Sequence, residues 1–80
     1  MKKIDIYTRP GCAYCVSAKR LLTAQGLEFI EHDVAAKPEA FKALRRRSPQ
    51  RTFPQIFIDD CLLGGFDDLL QLKQSQGLMN

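Results

Sequence analysis

The alternation of apolar and polar positions in the first part of the chain predicts a strand, a helix and a second strand. The predicted elements are a strand at 3–7, a helix at 13–25 and a strand at 28–34. In the helix, Ala18, Leu21 and Leu22 share one face, and Gly26 is a typical helix stop. Because a crossover through a helix joins parallel strands with a right-handed turn, we expect these two strands to be parallel.

The remainder of the chain predicts two further helices and a hairpin. The elements are a helix at 38–47, strands at 54–58 and 61–64, and a helix at 66–75. Ala40, Phe41 and Leu44 would face the core from the first of these helices. Asp59 and Asp60 would form the two-residue turn of the hairpin. This order of elements favours a mixed sheet with helices on both faces.

Length and composition indicate a single small domain. The 80 residues, 45% of them hydrophobic and 26% charged, are expected to form one domain over 1–80. Asp5 and Arg9 interrupt the N-terminal apolar positions before a signal-peptide core could form, and no window is apolar enough for a membrane span, so we expect a cytoplasmic protein. A net charge of +3 suits an anionic small ligand or an acidic protein partner and does not call for nucleic acid.

The chain has three cysteines, and two of them form a Cys-x-x-Cys pair where the first strand gives way to the first helix. In a reducing compartment this spacing indicates redox or metal chemistry. Cys12 would lie at the helix N-terminus, where unpaired N–H groups and the helix dipole stabilise a thiolate. Cys15, one turn further along, would be more buried and could attack a mixed disulfide formed on Cys12. We therefore predict Cys12 as the nucleophile and Cys15 as the resolving thiol.

Two other interpretations of the pair are less favoured. A structural zinc ion needs four ligands, and only His32 and Cys61 remain as candidates, without the second paired spacing of zinc modules. A purely structural disulfide is disfavoured by the reducing compartment, and the short loop that it would close removes little entropy from the unfolded chain.

Three separated motifs resemble those of the glutaredoxins, a family with the thioredoxin-like fold. They are Arg-Pro-Gly-Cys-Ala-Tyr-Cys at 9–15, Thr-Phe-Pro-Gln-Ile-Phe-Ile at 52–58 and Gly-Gly-Phe-Asp-Asp-Leu at 64–69. The resemblance covers nearly the whole chain. The chain departs from the usual dithiol pattern at Ala13, where proline is common, and at Phe53, where valine is usual.

The resemblance implies an α/β fold of the thioredoxin-like, glutaredoxin type, with a four-stranded mixed sheet and three helices in the order βαβ-α-ββα. It also implies a glutathione-dependent disulfide oxidoreductase that acts on protein disulfides and on glutathione mixed disulfides. Glutathione would be a co-substrate, no metal would be required, and the chain would act as a monomer on disulfide-containing or glutathionylated proteins.

A glutathione site is implied as well. Its residues would be Arg9, Tyr14, Thr52, Phe53, Pro54, Gly65, Phe66 and Asp67. In the family the proline at the position of Pro54 is cis, which would let the backbone of Phe53 pair with the cysteinyl unit of glutathione. The N–H groups of Phe66 and Asp67 would hold the γ-glutamyl carboxylate, and the Asp67 side chain would take the ammonium group. Asp68 would serve as a helix-capping residue.

Several residues remain open on the sequence alone. The basic run at 45–47 together with Arg51 is either a solvated helix end or includes the arginine that holds the glycyl carboxylate opposite Arg9. His32 is expected at the surface near a strand end, and Cys61 is expected to be a bystander thiol. Two alternative functions also remain: a thioredoxin-like protein reduced by a flavoenzyme, and an iron–sulfur cluster carrier, which would be coloured when purified.

Overall fold

The computed structural model describes residues 2–75 and contains seven regular elements. In chain order they are β1 (Ile4–Thr8), α1 (Ala13–Ala24), β2 (Ile30–Asp33), α2 (Pro38–Arg47), β3 (Gln55–Ile58), β4 (Cys61–Gly64) and α3 (Phe66–Ser75). Every predicted element is present, and the bounds of α2 and α3 agree with the prediction. The largest difference is in β2, which is shorter than the predicted strand at both ends.

The four strands form one mixed sheet in the order β2-β1-β3-β4. β1 pairs in parallel with β2, as the crossover through α1 predicted, and antiparallel with β3. β3 and β4 form the predicted hairpin, whose turn residues Asp59 and Asp60 have φ values of 50° and 67°. Two consecutive positive φ angles are those of a type I′ turn, which matches the twist of the flanking strands. The Asp59 side chain accepts a hydrogen bond from the N–H of Lys3 at 2.9 Å.

Both faces of the sheet are buried, so the domain has a core on each side. On one side Ile6 packs with Leu22 of α1 and Leu69 of α3, and all three have no exposed surface. On the other side Tyr7 packs with Leu44 of α2 and with neighbouring buried residues. β1 contributes alternate residues to the two cores, which holds it rigidly at the centre of the sheet.

His32 lies near the end of β2, as predicted, but it is half-buried in a polar cluster and not at the surface. Its Nε2 lies 2.9 Å from Oδ1 of Asp5, and its ring stacks on that of Tyr7 with 4.6 Å between the centroids. Asp5 itself is only 3% exposed. The polar positions of β1 are normally assigned to solvent, but α2 covers that face of the sheet and buries them too.

Phe41 also differs from its predicted place in the core. It is 43% exposed, whereas Ala40 and Leu44 are buried as predicted. The residue lies about 100° around the helix from Ala40, at the rim of the contact with the sheet. The guanidinium of Arg45 lies over its ring, 5.9 Å from the centroid, and covers part of the aromatic surface.

Within residues 2–75, no helix combines the length and the apolar character needed to cross a membrane.

Candidate active site

Cys12 occupies the N-cap of α1, directly before the first helical residue. Its backbone is extended, with φ −103° and ψ 104°, and its Sγ accepts a hydrogen bond from the N–H of Cys15 at 3.1 Å. Gly11, with φ +72°, makes the turn that brings the chain from β1 into this position. The Cys12 sulfur therefore occupies the place of a capping oxygen, where unpaired N–H groups favour a negative charge.

Cys15 lies one helical turn further along and is only 2% exposed. Burial, reinforced by the side-chain interaction between the two thiols, raises the pKa of the Cys15 thiol from the ordinary value of 9.0 to about 12. Cys12 is less deeply buried, and both thiols are free in this structure. The two sulfurs thus differ in the way that a nucleophile and a resolving thiol require: one is reachable and capped by an N–H, and the other is enclosed and protonated.

A groove of about 360 Å³ runs between the start of α1, the loop before β3 and the start of α3. It is lined by Tyr14, Gln50, Thr52, Phe53, Pro54, Gly65, Phe66, Asp67 and Asp68. Seven of the eight predicted glutathione-site residues are among them. Arg9 is the exception: its guanidinium lies over the ring of Phe53, 5.3 Å from the centroid. Gln50 was missed, because a lone glutamine in a loop carries no sequence signal.

One wall of the groove is aromatic. The rings of Tyr14 and Phe66 stack with 6.1 Å between centroids and 24° between planes, and Tyr14 remains 64% exposed. The Phe53–Pro54 peptide bond, in the loop before β3 that also lines the groove, is cis, as the resemblance implied. The groove can therefore hold a flexible ligand against an aromatic surface while the backbone of the opposite loop offers hydrogen-bonding groups.

The other end of the groove combines a helix N-terminus with acidic side chains. The Asp68 carboxylate accepts a hydrogen bond from the N–H of Gly65 at 3.0 Å, which is a capping contact. Gly64 has φ +132°, and a Cβ there would collide with the Asp68 carboxylate, so the position requires glycine. In the part of the chain that the structure describes, Asp67 makes no hydrogen bond or ion pair, and its exposed carboxylate is free to bind a cation.

The arginines of the basic run differ in the groups that they contact. Arg47 donates to the Tyr7 hydroxyl at 2.8 Å and to the Asp60 carboxylate at 3.2 Å, so it has a structural role. Arg45 and Arg51 instead line a smaller cavity of about 150 Å³, which shares Phe53 with the groove. Cys61 is exposed on β4, beside the turn of the hairpin.

Domains with this sheet and a Cys-x-x-Cys pair at the start of the first helix form the thioredoxin-like class of thiol–disulfide oxidoreductases. Within that class, the family model described as Glutaredoxin matches residues 4–63. The chain belongs to the glutaredoxin family.

Relatives and solved structures agree with this assignment. The chain is 48% identical over 79 residues to a glutaredoxin of Neisseria meningitidis serogroup A, covering 98% of this chain and 93% of that protein. It is 40% identical over 78 residues to glutaredoxin 3 of Escherichia coli K12, covering 98% and 94%. The solution structure of a glutaredoxin from Brucella melitensis is similar, with a TM-score of 0.78, 48% identity, and coverage of 96% and 84%. A buckwheat glutaredoxin–glutathione complex shares the fold, with a TM-score of 0.84, 22% identity, and coverage of 98% and 74%.

The buried thiol of Cys15 should make the stability of the fold fall in alkaline solution. Because the pKa of Cys15 is raised from 9.0 to about 12, the folded chain keeps a proton that the unfolded chain releases above pH 9. The contribution of Cys15 to the free energy of unfolding is therefore complete below pH 9 and is lost as the pH rises toward 12. At pH 10 the loss from this group should be on the order of 1 kcal/mol.

Urea unfolding of the wild type and of Cys15→Ala at pH 7, 8, 9 and 10 measures this contribution. The stability difference between the two proteins should shrink above pH 9, since the other titrating groups are common to both. A difference that stays constant up to pH 10 would show that Cys15 titrates normally in the folded state.

Proposed function

We propose that the protein is a glutathione-dependent thiol–disulfide oxidoreductase that reduces glutathione mixed disulfides and protein disulfides. The observation that carries the proposal is the contrast between the capped, reachable sulfur of Cys12 and the enclosed sulfur of Cys15, beside a groove with both apolar and charged groups. Membership of the glutaredoxin family supports the same reaction class.

In the first step the Cys12 thiolate attacks one sulfur of a substrate disulfide. A new S–S bond forms on Cys12, the substrate S–S bond breaks, and the departing sulfur leaves as a thiolate with the bonding electrons. The N–H of Cys15, 3.1 Å from the Cys12 sulfur, and the N-terminus of α1 stabilise the attacking thiolate. This step needs no metal ion and no side-chain base.

Two routes then clear the mixed disulfide. A glutathione thiolate can attack it and leave as oxidised glutathione, or Cys15 can attack Cys12 and release the substrate as a thiol. The first route requires one protein thiol, and the second requires both. Because Cys15 is enclosed and holds its proton, the one-thiol route should dominate for small glutathione mixed disulfides.

The groove suits a tripeptide with charges at both ends. The free carboxylate of Asp67 would take the ammonium group of the γ-glutamyl unit, and N–H groups at the start of α3 would take its carboxylate. At the other end, Arg9 over Phe53 and the pair Arg45 and Arg51 supply cations for the glycyl carboxylate. A protein reduced only by a flavoenzyme has no need for such a site, which favours glutathione as the reductant.

Separate substitutions of the two thiols test the proposal. The assay couples the protein to NADPH oxidation through glutathione reductase, with the mixed disulfide of glutathione and 2-mercaptoethanol as substrate. Cys12→Ser should abolish turnover, whereas Cys15→Ser should keep it and lose the reduction of an intramolecular protein disulfide.

Cys61→Ser is the control and should match the wild type in both reactions. Equal loss of both reactions in Cys15→Ser would contradict the assigned roles, and no glutathione-dependent turnover by the wild type would refute the proposal.

A second substitution tests the glutathione site. Asp67→Ala should raise the KM for glutathione by about tenfold, near the low end for a charge-assisted hydrogen bond because the carboxylate is exposed. The matched control is Glu39→Ala, which removes an acidic residue from the first turn of α2, away from the groove. An unchanged KM in folded Asp67→Ala would limit Asp67 to a helix-dipole role.

A further inference from the structure

We propose that Lys19 is a positioning residue for the resolving step: its ammonium group, held in place by Glu31 and Thr8, promotes the loss of the proton from Cys15. The inference rests on the proposed function, in which Cys15 attacks the mixed disulfide on Cys12. It concerns a group outside the glutathione groove that the first step does not use.

The geometry places a tethered cation one helical turn from the buried thiol. Lys19 follows Cys15 by four residues on α1, so the two side chains lie on the same face of the helix, one turn apart. The Lys19 Nζ is 3.0 Å from Oε2 of Glu31 on β2. The same carboxylate oxygen accepts a hydrogen bond from Oγ1 of Thr8 at 2.7 Å, and Thr8 is 2% exposed at the end of β1. The lysine is therefore anchored to the edge strand β2 and, through Glu31, to the end of the inner strand β1.

Glu31 is a suitable anchor because it stays ionised. The Thr8 hydroxyl holds the pKa of the Glu31 carboxyl below its ordinary value of 4.5. Partial burial opposes this effect, and the hydrogen bond and charge of Lys19 add to the lowering. The ion pair with Lys19 thus persists through the neutral range. Like most ion pairs near a surface it adds little stability by itself, so its contribution here is to fix where the ammonium lies.

The chemistry of the second step explains why a cation is needed at this place. The Cys15 thiol gives its proton to water, and its thiolate attacks the Cys12 sulfur. The bond between Cys12 and the substrate sulfur breaks, and the substrate leaves with the electron pair and takes up a proton. Every turnover through this route must therefore create a negative charge on the sulfur of a residue that is only 2% exposed.

The groups around Cys15 do not act equally throughout the cycle. Burial raises the pKa of Cys15 most, followed by the side-chain interaction with the Cys12 thiol, while the backbone of Arg9 and the ammonium of Lys19 lower it. Once Cys12 carries a substrate, its sulfur is neutral, and its charge no longer opposes a thiolate on Cys15. Burial then remains as the main opposing effect, and Lys19 is the side-chain cation that acts against it.

Kinetics of three variants test the inference. Lys19→Gln should slow the reduction of an intramolecular protein disulfide by about three- to tenfold, the size expected for a partly screened charge one helical turn away. Turnover of the small glutathione mixed disulfide should stay within about twofold of the wild type, because that route does not use Cys15. Lys19→Arg should restore the rate at which the intramolecular protein disulfide is reduced. The control is Arg20→Gln, which removes a positive charge from the neighbouring exposed position. Equal slowing of both reactions, or equal behaviour of Lys19→Gln and Arg20→Gln, would overturn the inference.

A second measurement does not depend on the proposed function. In the background Cys12→Ser, Cys61→Ser, Cys15 is the remaining thiol, and its alkylation rate between pH 7 and 9 is proportional to its thiolate fraction. Adding Lys19→Gln should lower that rate by about three- to tenfold at each pH. Adding Arg20→Gln should not change it. Loosening of the fold by Lys19→Gln would raise the rate, so an increase or no change contradicts the inference even if the protein proves to be a glutathione-dependent enzyme.

Discussion

The start of α1 is the constraint on which the site depends. The helix begins immediately after Cys12, so one sulfur becomes the N-cap and the sulfur one turn later points into the core under the sheet. Moving the start by a single residue would rotate both side chains by about 100° and remove the contrast between them. β1, buried on both faces, and the turn at Gly11 hold that starting point in place.

The strand directions explain why three distant segments meet at one groove. β1 and β3 are antiparallel, and so are β3 and β4, so the end of β1, the start of β3 and the end of β4 lie at the same edge of the sheet. The loop after β1 carries the thiols, the loop before β3 carries Phe53 and the cis proline, and the start of α3 follows β4. A rigid sheet thereby brings together groups from three segments that are far apart in the chain, at 12–15, 53–54 and 66–67.

Much of this arrangement could be predicted from the sequence, because the signals were local. The apolar periodicity, the proline at the start of α2 and the two aspartates of the hairpin turn each report on their own segment. The features that the sequence did not predict depend on contacts between segments. His32 is half-buried because it meets Asp5 from the neighbouring strand, and Phe41 lies at the rim of a contact whose width the helix alone does not define. Gln50 reaches the groove through a loop with no periodic pattern.

The central claim is that position in the fold, not residue type, sets the chemistry of each thiol, and the three cysteines of this chain allow it to be measured in a single sample. Brief treatment of the reduced protein with iodoacetamide at pH 7, followed by mass spectrometry of the peptides, gives a separate rate for each. Cys12, at the helix N-terminus, should react fastest, the exposed Cys61 more slowly, and the buried Cys15 slowest. Alkylation of Cys12 no faster than Cys61, or of Cys15 as fast as Cys61, would contradict the account.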